Sequence, residues 1–108
     1  SMSESIIKAS LEILLAELVE RAQLEQFDAA EIEEATRLIQ IGTNSRGVIA
    51  ATRIDYEAAH LMARAARRRG EWGLESVYRR RAGLALDVLG MLRAAEQPVG
   101  EVPLAGAN

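Results

Sequence analysis

Apolar residues recur along the first two dozen positions at helical spacing. Ile7, Leu11, Leu14, Leu18 and Ala22 are separated by four, three, four and four residues, which sets them on one face of an α-helix. Ser3 or Ser5 can cap this first helix, which is expected to run to about Leu24. Ile6 and Ile13 fall well off the stripe, while Leu15 and Val19 widen it. The pattern therefore predicts a helix touching neighbours on more than one side, as a central helix or an oligomer interface.

Asp28 opens a second helix, because its carboxylate can accept early backbone N–H groups while Glu31, Glu33 and Glu34 sit near the positive end of the helix dipole. Ile32, Ala35 and Ile39 form the predicted apolar face, flanked by Leu38. The run from Gly42 to Gly47 is the expected interruption, either a loop or a kink in one long helix. A third helix follows, from Asn44 or Ser45, or from Thr52 if the loop is long, and ends at Gly70. Ile54, Ala58, Leu61 and Ala65 make one of its faces, with Met62 beside them, and Ala59, Ala63 and Ala66 offer a second side of small residues that permits close helix approach. The fourth helix spans about Glu71 to Glu96 on a stripe of Leu74, Val77, Tyr78, Ala85, Val88, Leu89 and Leu92. Gly83 and Gly90 interrupt it, marking either close packing or open surface.

Nothing in this pattern alternates as a strand would, and both prolines, Pro98 and Pro103, lie beyond the last predicted helix. The fold class is therefore all-α: a compact bundle of three to four helices over residues 1–96, followed by a flexible C-terminal tail over residues 97–108. Residues 59–85 resemble a tetratricopeptide helical hairpin. Ala63 stands at the small position of the first helix, Gly70 at the turn, Trp72 two places on, and Ala82 at the small position of the second helix. Glu75 and Gly83 depart from that pattern, and no proline closes the unit.

Composition narrows the function classes. With 108 residues, 49% of them hydrophobic, the chain has the material for one core. It contains no cysteine, and its single histidine, His60, cannot supply the ligand clusters of catalytic zinc. The most apolar stretch, Leu11 to Val19, includes Glu12 and Glu17 and falls short of the ~20 residues a bilayer span needs. No secretory signal is expected at the N-terminus, where Ser1 reads as an expression scar, and a cytoplasmic location fits. Twelve of thirteen basic residues are arginine, which hints at a GC-rich bacterial genome.

Candidate chemistry is sparse. The Gly42 to Gly47 segment lacks the Gly-Lys-Ser/Thr ending of a phosphate loop, and the carboxylates have no histidine at the spacing of di-iron bundles. His60 reads as a surface histidine paired with a neighbour such as Glu57 or Arg64. No cofactor and no enzymatic activity are expected.

Charge is the most informative feature. Residues 1–44 carry nine acidic and three basic groups, whereas residues 45–108 carry ten basic and seven acidic ones. Arg67, Arg68 and Arg69 end the third helix, close behind Arg64, and Arg79, Arg80 and Arg81 follow the turn at Gly70. Together with Trp72 and Tyr78 they are the candidate partner-binding residues. These arginines can pair with the acidic half of the same chain, anchor a protein partner or a second copy, or contact nucleic acid. A net charge of −3 argues against the last. Arg81 falls on the apolar stripe, so it either lays its stem over apolar surface or pairs with a carboxylate across an interface. The expected role is a non-enzymatic protein–protein interaction or assembly module, a small adaptor, chaperone-like protein or oligomeric subunit. The alternative is a nucleic-acid-binding regulator using the Arg64 to Arg81 region.

Overall fold

A computed structural model describes residues 2–96, and the tail expected over residues 97–108 lies outside the described residues. Four helices follow one another: α1 (Met2–Gln23), α2 (Ala29–Thr43), α3 (Val48–Arg68) and α4 (Trp72–Glu96). Their ends are set by local chemistry. Asp28 caps α2 in a reciprocal box, accepting from the Glu31 backbone N–H at 2.8 Å while its own N–H donates to the Glu31 carboxylate at 2.8 Å. α3 closes in a Schellman motif at Gly70, whose φ of +75° is open to glycine, with backbone bonds from Gly70 to Arg67 and from Glu71 to Ala66.

α1 ends in the same motif, but the left-handed position is occupied by Glu25, at φ +56°. That conformation costs a residue with a Cβ roughly 1 kcal/mol. Glu25→Gly is therefore expected to stabilise the fold by about 0.5–1 kcal/mol, seen as a higher urea midpoint. An unchanged or lower midpoint would contradict this description of the α1 terminus.

The interruption between α2 and α3 is shorter than the sequence suggests. Gly42 lies inside α2, and its lack of a side chain admits Leu15 of α1, whose Cδ1 would come within 2.6 Å of a Cβ there. The glycine is thus a point of close approach between helices. Only residues 44–47 form the connection, and α3 starts at Val48 behind Gly47, whose φ is +84°.

α3 is the central element. It packs against α1, α2 and α4, whereas α4 packs its backbone against α3 alone. Buried residues accordingly surround α3: Ile54, Ala58, Leu61 and Met62 on one side, and Ala59, Ala63 and Ala66 on another. The latter continue, at helical spacing, the stripe that starts at Asp55, whose carboxylate meets Arg81 of α4. The small-residue side therefore receives α4. Of the two roles expected for α1, central helix or oligomer interface, the central one belongs to α3. The α1 stripe of Leu11, Leu14, Leu15 and Leu18 is buried, but Ile6 and Ile13 face solvent.

Two further phases differ from expectation. The contact line of α2 runs through Ala35 and Leu38, leaving Ile32 exposed, and that of α4 runs through Tyr78, Ala82, Ala85 and Leu89, leaving Val77 exposed. Gly83 and Gly90 have open space where a side chain would stand, so they mark surface.

Candidate functional site

Most of the arginines singled out above are held by carboxylates of the same chain. Arg68 sits between Glu31 at 2.8 Å and Asp28 at 3.5 Å and also donates to the Gln26 carbonyl at 2.8 Å. The hydrogen bond to Glu31 raises its already high pKa, so this guanidinium stays charged. Arg64 pairs with Glu34, and Arg69 with Glu71 at 3.0 Å. Arg67 and Arg79 converge on one carboxylate, Glu75, at 3.7 and 3.1 Å. The turn at Gly70 does bring the two clusters together, but around an acid. Exposed pairs of this kind contribute roughly 0–1 kcal/mol each. Trp72 lies exposed at the start of α4, and Tyr78 is buried.

Arg81 takes neither of the two roles considered for it. Its guanidinium donates to both oxygens of Asp55, at 3.2 and 2.9 Å, and to the carbonyl and Oγ of Ser10, at 2.8 and 2.9 Å. It therefore ties α4 to α3 and α1 within one molecule. One turn earlier on α4, Tyr78 donates its hydroxyl to Glu17 of α1 at 2.8 Å. As α4 advances from Tyr78 to Arg81, its partners on α1 recede from Glu17 to Ser10, so the two helices run antiparallel.

Burial, and after it the hydrogen bond to Glu17, push the Tyr78 hydroxyl up to about 12, with Arg21 pulling the other way. The folded state then holds this proton more tightly than the unfolded chain, whose tyrosine titrates near ~10. The contribution is complete below pH ~10 and is lost as pH rises through the folded value. Tyr78→Phe is expected to flatten the plot of urea midpoint against pH above about pH 10. Parallel wild-type and variant plots there would contradict the assignment.

His60 sits edge-on to Tyr56 with ring centroids 4.7 Å apart, and its Nδ1 lies 3.5 Å from the Arg79 guanidinium. Among the described residues no acidic, histidine or cysteine cluster could hold a metal ion, and no helix is long and apolar enough to cross a membrane.

What remains open is an apolar groove. Because α1 and α4 lie on α3 without packing their backbones together, a channel of about 380 Å³ runs between them, with Ile6 and Ile7 on one wall, Val77, Leu84 and Val88 on the other, and Thr52 and Asp55 at its base. Of its lining residues, Ile6 is 63% exposed, Val77 60% and Leu84 60%, and Ile13 and Met91, 62% and 65% exposed, extend the same helix faces beyond it. Val77, Leu84 and Met91 are seven residues apart and share one face of α4, as Ile6 and Ile13 do on α1. Two helical stripes thus border one groove. Arg80 stands beside the α4 stripe and is the one member of the two arginine clusters with no ion pair among the described residues.

In the sequence, Ile6 and Ile13 stand off the α1 stripe with nothing beside them to point to α4. The signal available was the seven-residue spacing of Val77, Leu84 and Met91. Compared with protein-family models, curated proteins and solved structures, the chain matches none. Ala63 and Ala82, the small positions of the α3–α4 hairpin, are buried.

Proposed function

We propose that this chain is a non-enzymatic protein-interaction module whose contact surface is the face bordered by α1 and α4. The observation that carries this reading is the pair of exposed apolar stripes flanking the groove. Isolated exposed apolar residues are ordinary on a protein surface. A contiguous set, aligned on two antiparallel helices and lined by few polar atoms, is what a partner helix requires.

The arginines contribute less to this role than their number suggests. A partner or a phosphate reaching Arg68, Arg79 or Arg81 must first displace Glu31, Glu75 or Asp55. The nucleic-acid alternative draws correspondingly little support. An arginine- and alanine-rich, cysteine-free chain also fits a bacterial cytoplasmic protein, which we include in the proposal.

Photo-crosslinking side chains placed at Ile13, at Val77 and, as a control, at exposed Glu33 on α2 test the reading in cells expressing the protein. Adducts are expected from positions 13 and 77 and not from position 33. Equal yields from all three positions would overturn it.

A further inference from the structure

The α4 stripe has an internal symmetry. Val77 and Met91 lie seven residues to either side of Leu84, while Arg80 stands four residues before it and Asp87 three after. Arg80 and Asp87 are both exposed, and neither has an ion pair or hydrogen bond among the described residues. They cannot readily serve each other, being about 10 Å apart along their own helix at ~1.5 Å per residue. Both occupy the same flank of the Val77–Leu84–Met91 line.

From this arrangement we infer that the occupant of the groove is a second copy of the same chain, bound with α4 antiparallel to α4 about a two-fold axis at Leu84. This rests on the interaction reading above and names the partner. In an antiparallel pair related by a two-fold axis, a residue n positions before the axis faces the residue n positions after it on the other helix, and residues on one flank meet residues on that same flank. Val77 then faces Met91 of the other copy, Leu84 faces Leu84, and Arg80 comes within one residue's rise of Asp87. The two exposed charges that lack partners among the described residues become mutual partners, twice over, across the axis.

The α1 rim extends the same contact. Ile6 lines the groove with Val77 and Leu84, so the second copy's α4 rests against α1 as well as α4, and two antiparallel helices from each protomer approach a four-helix arrangement. A parallel pairing, whose two-fold axis runs along the helices, would carry this flank to opposite edges of the interface and keep Arg80 and Asp87 of the two copies apart. The charges therefore select the antiparallel orientation as well as the partner.

Charge exchange tests the register, and the absence of cysteine makes a disulfide probe clean. Sedimentation equilibrium is run on the wild type, R80D, D87R and R80D/D87R, with helical content checked by circular dichroism. The wild type is expected to be a dimer. Each single substitution places two like-charge contacts across the axis and is expected to weaken the dimer about tenfold or more, and the double substitution is expected to restore it. L84C is expected to form a disulfide-linked dimer under mild oxidation, and E33C is not. A dimer whose weakened single variants are not rescued by the double, or in which L84C links no faster than E33C, would overturn the two-fold arrangement while leaving self-association intact. A monomeric wild type that still gives adducts with other proteins from position 77 would overturn it and leave the interaction reading standing. A monomer without such adducts removes both.

Discussion

Replacing Asp55 by alanine is expected to cost about 3 kcal/mol of folding stability, near the lower end of the range for a broken buried ion pair. The side chains of Arg81 and Asp55 are only 27% and 11% exposed, and both oxygens of Asp55 accept from Arg81 at 3.2 and 2.9 Å. Without the carboxylate, the guanidinium keeps Ser10 but loses its counter-charge in a half-buried position. A loss of that size lowers the melting temperature by about 15 °C in a domain of this length. The cost arises from the charge left behind more than from the contact removed, so Asp55→Leu combined with Arg81→Met is expected to regain most of it. A single-variant loss below about 1 kcal/mol would mean that solvent already satisfies Arg81.

Enlarging Ala59 to leucine is expected to destabilise by a similar amount, about 3 kcal/mol, at the upper end of what overpacking costs. Ala59 is fully buried on the side of α3 that receives α4 and shares the core with Ala63, Tyr78 and Ala82. Ala59 is 0% exposed, so the three added carbons press on α4 and are expected to move it outward. Moving α4 also stretches the bonds from Arg81 to Asp55 and from Tyr78 to Glu17. The effects of Ala59→Leu and Asp55→Ala should therefore fall short of additive. Urea unfolding of the two single variants and the double variant measures this. Full additivity would indicate that α3–α4 spacing and the Arg81 bridge are independent.

The parts of this fold that were legible in the sequence are those set by neighbours along the chain. The Asp28 cap needs only Glu31 three residues on, the turn at Gly70 needs only a glycine after a basic helix end, and the stripe from Leu11 to Leu18 needs only its own spacing. The all-α class follows from the same local signals. What was not legible depends on partners far along the chain. Gly42 reads as a helix breaker until Leu15 is placed 2.6 Å from its missing Cβ. Arg81 reads as a snorkelling or interfacial residue until Asp55 and Ser10 are brought to it from two other helices.

The arginine clusters illustrate the same limit at the candidate site. Their spacing announces a basic patch, but Glu31 and Glu34, which read as a solvated helix start, cross from α2 to neutralise Arg68 and Arg64. The apolar pattern places Val77 on the α4 stripe with Leu74 and Tyr78. The contact line of α4 passes instead through Tyr78, Ala82 and Ala85, and turns Val77 outward beside Leu84. Ile6 and Ile13 were visibly out of place on α1. Only the antiparallel placement of α4 shows that their excess apolar surface belongs to a face shared by two helices.

The measurement that bears most directly on that face is the solution mass of the wild type and of V77E/L84E, by size exclusion with light scattering. Both substituted positions are solvent-facing within the single chain, so the variant should retain its helical content. The account predicts twice the 11.8 kDa chain mass for the wild type and the single-chain mass for the variant. Equal masses for the two proteins, whether monomer or dimer, would contradict it.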